Sequence, residues 1–497
     1  MSAVNPLRAY ASVTAAYWAF MLSDGALRML VLLHFNALGF SPVQLAWLFL
    51  LYELAGIVTN LAAGWLAARF GLAATLYAGL ALQIGALLAL AQLDPAWSIL
   101  ASVAFVMAVQ GVSGVAKDLA KMSSKSAVKL LAPKEEGGLF AWVAALTGSK
   151  NAVKGLGFFI GAALLGLAGF HAAVWGMAAV LAVILIAVVL FLPAGLPGRM
   201  KSEDGWGGWR SKDPRVNRLS LARMFLFGAR DVWFVVGIPI YFQAVLSDGT
   251  TEGRREAFFL VGGFMALWII AYGAVQAFAP RLLGGKTQSE AQITAKAIFW
   301  SGLLVPIPFA LAALAFAAGE PAPWLTATLI TGLLLFGFVF AVNSSVHSYL
   351  ILAFGAAERI TRDVGFYYMA NATGRLIGTL LSGVSYQIGG LPLCLATAGV
   401  MAAASWDQPL DFFRRPHEVR KQRVGGKGFR FQFRMELDPD EPRMILDLDN
   451  LRQLAIRRHA GKDQPASLKL RAVLDVYLIA VPVAFLDDRA AVNLRHL

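Results

Sequence analysis

Charged side chains within long apolar stretches are the residues of this sequence best suited to do chemistry. Nine are basic and four are acidic: Arg28, Lys117, Lys121, Lys125, Lys150, Lys154, Arg223, Arg230 and Arg375, and Asp24, Glu53, Asp118 and Asp231. An ionisable group at membrane depth costs about 2.5–3.5 kcal/mol on insertion scales, so each is a functional candidate. Even if every acid pairs with a base, about five positive charges remain, which predicts a binding site for a multiply charged anion.

The spacing of the lysines supports this interpretation. Lys117 and Lys121 are four residues apart, as are Lys150 and Lys154, so each pair shares a helical face and needs an anion or an acid nearby. We expect both pairs, with the neighbouring Asn151, to contact the anion. Lys125 and the following Lys129 have a structural alternative, because long basic side chains near a helix end reach towards the interface.

The arginines and carboxylates leave alternatives open. Arg28, Arg230 and Arg375 are candidates for substrate contact, although Arg28 and Arg230 could instead form structural ion pairs with Asp24 and Asp231. The proton-coupling candidates are Asp24, Glu53 and Asp231, since a membrane carboxylate can carry a proton. Glu53 could equally be the partner of a base on another helix. His34 is expected to be an interfacial residue with its partners satisfied.

The elements that must position these residues are membrane spans. The chain of 497 residues is 58% hydrophobic and 15% charged, whereas soluble domains carry about 25% charge. Apolar runs long enough to cross a bilayer predict twelve spans, at about 10–37, 42–68, 72–92, 97–120, 139–168, 171–192, 218–246, 257–283, 292–318, 323–354, 363–388 and 389–406. Asp24 and Arg28 argue against a cleaved signal peptide in the first. We expect an all-α membrane protein.

Regional composition predicts the domain organisation. Residues 1–193 form a first six-helix half, 194–217 a cytoplasmic linker and 218–406 a second six-helix half. Residues 407–497, which hold 17 of the 43 basic and 13 of the 30 acidic residues, form a hydrophilic cytoplasmic extension of unknown role, or the end of a reading frame that is not native. Lysine and arginine concentrate in alternate loops, which places both termini in the cytoplasm.

Weak sequence echoes suggest that the halves are repeats. Asp24 and the pair His34-Phe35 recur, at an offset of 207, as Asp231 and Tyr241-Phe242. Two further echoes are expected to match the halves: Ser123-Ser124 with Ser344-Ser345, and Thr147-Gly148 with Thr373-Gly374.

Other classes of protein are disfavoured by the same sequence. A single cysteine, Cys394, and the lack of Cys/His clusters exclude an internal disulfide and give no metal-ligand spacing. No acid/base dyad suggests an enzyme. We expect no cofactor, no metal, no nucleic-acid partner and a monomer in the lipid bilayer.

Motifs carry two resemblances. The segment from Gly64 to Gly71, Gly-Trp-Leu-Ala-Ala-Arg-Phe-Gly, resembles the loop motif of the major facilitator superfamily, with Ala68 in place of its aspartate and Leu72 at its basic end. The segments at 22–31, 116–129, 146–155 and 226–234 are more specific and resemble the ArsJ family of organoarsenical efflux permeases over roughly residues 7–400.

The second resemblance implies a substrate and a functional partner. The family exports 1-arseno-3-phosphoglycerate across the bacterial inner membrane; a glyceraldehyde-3-phosphate dehydrogenase makes this ester from arsenate, and its export confers arsenate resistance. The arginine pair Arg28 and Arg230 also resembles the phosphate-gripping arginines of organophosphate antiporters in the superfamily. Two alternatives stay open: a transporter of an ordinary organophosphate or phosphate, and a membrane sensor that signals through residues 407–497.

Overall fold

The computed structural model describes most of the chain. The described residues are 6–131, 138–192, 211, 213–283, 290–354, 360–414, 433–434 and 445–446. Most of the predicted linker, 194–217, and most of the predicted extension, 407–497, therefore lie outside the described residues. Two units separate at Arg414, the second being residues 415–497.

The first unit is a bundle of long helices. Their bounds are α1 Pro6–Ala37, α2 Pro42–Leu48, α3 Leu50–Leu90, α4 Ile99–Leu131, α5 Gly138–Ala168, α6 Phe170–Phe191, α7 Pro214–Val232, a π-helix Trp233–Gly237, α8 Ile238–Leu246, α9 Thr251–Leu282, α10 Glu290–Leu304, α11 Pro306–Ala318, α12 Pro323–Phe354 and α13 Ile360–Arg414. In the second unit the described residues form two short antiparallel strands, β1 Phe433–Arg434 and β2 Ile445–Leu446.

Local chemistry explains several helix ends. Ser41 and Gln44 form a reciprocal capping box at the start of α2, where Pro42 occupies the first turn. Asp213 and Thr250 cap α7 and α9 with their side-chain oxygens. In the loop before α9, two hydrogen bonds from Thr250 lower the pKa of the exposed Asp248.

The membrane spans agree with the predicted number. Among the described residues, eleven helical stretches are long and apolar enough to cross a membrane. The last, Asp363–Gln408, has 46 residues, and would rise about 69 Å, more than twice the roughly 30 Å hydrocarbon core. It bends at Gly389 and Gly390, where Gly390 has φ of 62°, and thus supplies the predicted spans eleven and twelve. The final helix continues to Arg414, beyond the predicted end at residue 406.

A glycine also separates the second and third predicted spans. α3 bends at Gly71, whose φ of 75° is accessible to glycine and strained for other residues. Gly71 closes the segment Gly64–Gly71, which resembles the loop motif of the major facilitator superfamily. The side chains of residues 63–68, which include the departure at Ala68, lie outside the described part.

Close helix packing repeats in the two halves, which we define as α1–α6 and α7–α13. In the first half, a Cβ atom on Gly157 or Gly161 of α5 would clash with the carbonyl oxygens of Leu22 and Ala26 on α1. Gly374 and Gly378 of α13 pack in the same way against carbonyls of α7. Small residues thus let the backbones approach.

This packing corrects one predicted echo. The expected partner of Thr373-Gly374 was Thr147-Gly148, yet Gly148 faces Gly273 and Ala277 on α9 of the other half. Gly374 corresponds in packing to Gly157. The residue pair Thr-Gly was too short a signal to fix the register of two helices.

The close packing predicts a large effect of one methyl group. Gly161→Ala should destabilise the protein by about 1–3 kcal/mol, because backbone atoms of α1 cannot move aside cheaply. Gly176→Ala is the matched control, since no atom lies within 4 Å of its added Cβ on α6. Thermal unfolding in detergent should show a lower midpoint for Gly161→Ala alone; equal midpoints would contradict the packing.

The two halves meet along paired helices. α3 and α2 pack on α13, where Gly383 lies against the Pro42 carbonyl and Gly56 lies near Arg375. α5 packs on α9, where Gly155 lies against the Ala266 carbonyl. Residues related by the repeat offset also touch: Asn36 Nδ2 donates to Gln243 Oε1 at 2.7 Å. The charged side chains lie between these contacts.

Candidate functional site

A buried cluster of charged residues lies where the halves meet. We call it the central cluster; it comprises Asp24, Arg28, Tyr52, Glu53, Lys117, Asp118, Lys121, Lys154, Arg230, Asp231 and Arg375. It draws on α1, α3, α4, α5, α7 and α13. Most of the site residues expected from the sequence are thus brought together.

Glu53 is the link between the halves. Its side chain is fully buried, and its two oxygens lie 3.1 Å from Arg28 Nη1 and 2.8 Å from Arg375 Nη2. Arg28 belongs to the first half and Arg375 to the second. A single carboxylate therefore holds two guanidinium groups. Either guanidinium group could bind an incoming oxyanion in place of Glu53.

The arrangement around Asp24 rules out one structural alternative that the sequence left open for Arg28. Arg28 does not pair with Asp24, four residues before it, but with Glu53. Asp24 instead accepts from Lys154 at 2.6 Å and from the Tyr52 hydroxyl at 2.5 Å. The reason is that α3 brings the Glu53 carboxylate to Arg28, whereas α5 brings the Lys154 ammonium group to Asp24.

A third carboxylate, Asp118, neutralises Lys121. Lys121 Nζ lies 2.5 Å from Asp118 Oδ1 and donates to Asn60 Oδ1 at 2.8 Å. The Thr59 hydroxyl donates to the other oxygen of Asp118. Asp118 therefore supplies the nearby acid that the spacing of Lys117 and Lys121 required.

Among the described residues, Lys117 is the one cation of the cluster that has no carboxylate within ion-pair distance. It is 6% exposed, and its Nζ makes no hydrogen bond to any described residue. The ammonium group lies 3.9 Å from the centre of the Tyr52 ring, a cation–π contact. Its charge acts on Asp24, Glu53 and Asp118 together. A buried ammonium with no hydrogen bond is suited to receive an anion.

Arg230 and Asp231 supply the second half's own pair. The Arg230 guanidinium approaches Asp231 Oδ1 at 2.6 Å, which is the structural pair that the sequence left open. Asp231 also acts electrostatically on Arg28 and Arg375. The candidate arginines of α1, α7 and α13 thus share one electrostatic environment.

The remaining candidates lie around the cluster. Asn151 on α5 donates to Gln276 on α9 at 2.9 Å and so joins the halves. Lys150 is partly buried beside it. The side chains of Lys125 and Lys129 lie outside the described part, although both residues belong to α4. His34 stacks on Phe170 with ring centres 4.1 Å apart.

The charge balance of the central cluster favours an anion. Six cations and four carboxylates compose it, which leaves two positive charges. The excess is smaller than the five positive charges counted from the sequence. That count also included Lys150 and Arg223, which are not members of the cluster, and Lys125, whose side chain lies outside the described part. Two uncompensated charges at low dielectric match a doubly charged oxyanion.

Several residues that complete the site were missed by sequence reasoning. Tyr52, Thr59 and Asn60 bind the buried carboxylates and lysines, and Gln276 joins Asn151 to α9. All are neutral polar residues in apolar spans. The weak signal was their spacing: on α3, Thr59 and Asn60 follow Tyr52 and Glu53 by seven residues, about two helical turns.

Comparisons with known proteins agree with this architecture. A family model described as Major Facilitator Superfamily matches residues 13–359. A POT family transporter solved in complex with a thioalcohol conjugated peptide aligns with a TM-score of 0.62 at 15% identity, covering 82% of this chain and 96% of that one.

A second solved structure, the nucleoside transporter NupG, aligns with a TM-score of 0.61 at 16% identity, covering 82% of this chain and 98% of that one. At such identities these structures show the fold alone. No curated protein matches the chain significantly. The matched family model spans more than half of the sequence, and the chain belongs to the major facilitator superfamily of membrane transporters.

Proposed function

We propose that this protein exports a multiply charged organoarsenical anion, 1-arseno-3-phosphoglycerate, by alternating access. The observation that carries the proposal is the central cluster, in which six cations surround four carboxylates between the two halves. Arsenate and phosphate groups present the oxygen geometry that arginine binds bidentately. The ArsJ-like segments support the choice of this ester.

The geometry suggests how the anion enters. Glu53 holds Arg28 and Arg375, so an oxyanion must compete with a carboxylate for them. An anion that wins this competition neutralises the two excess charges and joins the halves through its own oxygens. The halves can then rock around it, as in other repeat-built transporters.

The same competition offers a route to coupling. A displaced Glu53 is a buried, unpaired carboxylate, which is unfavourable unless it takes up a proton. Proton binding at Glu53 and anion binding at the two arginines would then favour each other. Asp24 and Asp231 hold the same candidate role, but each retains its own basic partner.

Glu53→Gln tests this role. The neutral amide should compete poorly for the arginines, so anion affinity should rise by about 10-fold, the value of one charge-assisted hydrogen bond. Transport should lose its dependence on a proton gradient. Glu252→Gln, on an exposed residue of α9, is the control and should change neither property.

Binding to the purified protein and uptake by reconstituted vesicles measure the two effects. Unchanged affinity together with unchanged gradient dependence would remove Glu53 from the coupling step. A gain in affinity without a loss of gradient dependence would assign the proton to another group.

Arsenate resistance tests the substrate. Bacterial cells without their own arsenic efflux should become resistant when they express this protein together with a glyceraldehyde-3-phosphate dehydrogenase. Neither protein alone should suffice, because one makes the ester and the other removes it. If the pair gives no resistance while vesicles transport phosphorylated glycerol compounds, the substrate is an ordinary organophosphate.

A further inference from the structure

A second polar group lies in the C-terminal half and takes no part in the central cluster. Its centre is Arg223 on α7, which is 5% exposed. Arg223 Nη1 donates to the carbonyl and hydroxyl oxygens of Ser344 at 2.9 and 3.0 Å. Within the described part of the chain, no carboxylate lies within ion-pair distance of Arg223, and its Nε has no hydrogen-bond partner.

His347 lies three residues after Ser344, the partner of Arg223, so both lie on one face of α12. It is fully buried on α12, and both of its ring nitrogens lack a hydrogen-bond partner among the described residues. The charge of Arg223 acts on the ring directly. An unpartnered buried histidine costs free energy, as does a buried guanidinium without a counter-ion. One oxyanion between the two side chains would satisfy both.

The group is connected to the interface between the halves. Ser344 also accepts from Gln276 Nε2 at 3.2 Å, and Gln276 accepts from Asn151 at 2.9 Å. Gln276 and Asn151 are partly exposed. An anion could therefore reach Ser344 and Arg223 from the side on which the halves separate.

The group is also close to the central cluster. The guanidinium carbons of Arg223 and Arg230 lie 4.1 and 4.8 Å from the centre of the same Phe227 ring. They can be no farther apart than the sum of these distances. A small molecule with a charged group at each end of a three-carbon chain covers such a separation.

We propose that Arg223, His347 and Ser344 bind the second charged group of a two-headed oxyanion, while the central cluster binds the first. This inference rests on the proposed function and adds to it a preference among substrates. Molecules with two phosphate-like groups should bind more tightly than molecules with one, because only they satisfy both sets of cations at once.

A matched pair of probes tests this preference: 1,3-propanediol bisphosphate, with two phosphate groups, and propyl phosphate, with one. Binding is measured by titration of the full-length protein in detergent. The wild type should bind the bisphosphate at least about 10-fold more tightly. Arg223→Gln should remove most of this preference and leave the affinity for propyl phosphate unchanged. Arg218→Gln, nearer the start of α7, should keep the preference.

Two more variants show whether a lost preference is caused by misfolding. Arg223→Lys preserves the charge and should retain part of the preference, and His347→Asn should reduce it; size-exclusion chromatography verifies that each variant is monodisperse. An unchanged preference in Arg223→Gln and His347→Asn would overturn the second subsite while leaving the transport proposal intact. Failure of the wild type to bind either probe would overturn both.

Discussion

Replacement of Arg28 by alanine should lower export by at least about 100-fold, the combined value of two charge-assisted hydrogen bonds to an oxyanion. Arg28 is one of the two guanidinium groups that hold Glu53, and it is the one contributed by the first half. Without it the anion would keep only Arg375 of these two guanidinium groups, and the first half would lose its arginine contact. Vesicle transport, normalised to the amount of inserted protein, measures the loss.

Two variants make the Arg28 result interpretable. Arg28→Lys keeps the charge but loses the planar fork, so it should fall between the wild type and Arg28→Ala. Arg254→Ala, on an exposed arginine of α9, should transport normally. If Arg28→Ala inserts and transports at the rate of the Arg254 control, Arg28 does not contact the substrate and its pair with Glu53 is structural.

Replacement of Lys117 by methionine should weaken anion binding by about 10- to 100-fold without loss of stability. Methionine keeps much of the packing on the Tyr52 ring but removes a charge that has no hydrogen bond within the described structure. Removing a poorly satisfied buried charge relieves a desolvation cost, so the unfolding midpoint should stay equal or rise. Binding and thermal unfolding of the same preparation test both parts.

Lys121→Met provides the contrast, because it leaves buried Asp118 without its lysine. Breaking a buried pair costs about 3–5 kcal/mol, so this variant should lose stability. The two lysines lie on the same face of α4, yet they should give opposite signatures. Equal losses of stability in both variants would show that Lys117 has a structural acid partner and is not a ligand-binding group.

The membrane spans and the residues of the central cluster could be read from the sequence, because both depend on strong local signals. Apolar runs long enough to cross a bilayer set the spans, and ionisable residues inside them identified Arg28, Lys117, Lys154 and Arg375. Asp24, Glu53 and Asp118 were recognised in the same way. Their common burial follows from the cost of exposing charge to lipid.

The pairing within the cluster could not be read from the sequence, because it depends on how the helices pack. Spacing allowed a pair of Arg28 with Asp24, four residues away on the same helix, but packing brings Glu53 of α3 closer. Lys154 then pairs with Asp24 from α5. A local spacing rule cannot choose between partners on the same helix and on different helices when both are buried.

The register of the repeat was limited in the same way. The offset of 207 between Asp24 and Asp231 also relates Asn36 and Gln243, which hydrogen-bond to each other. Between α5 and α13 the equivalent residues are the glycines that touch α1 and α7, Gly157 and Gly374, and not the pair around Gly148. Backbone contacts, which the residue type alone does not reveal, decide this equivalence.

The central claim, export of a multiply charged arsenical through the cationic cluster, is tested most directly in everted membrane vesicles. The ester is generated outside the vesicles by glyceraldehyde-3-phosphate dehydrogenase with arsenate, and accumulated arsenic is measured with and without a proton gradient. We predict accumulation in vesicles that contain the wild type and none above background in vesicles that contain Arg28→Ala. Equal arsenic in wild-type and empty vesicles, under a verified gradient, would contradict the account.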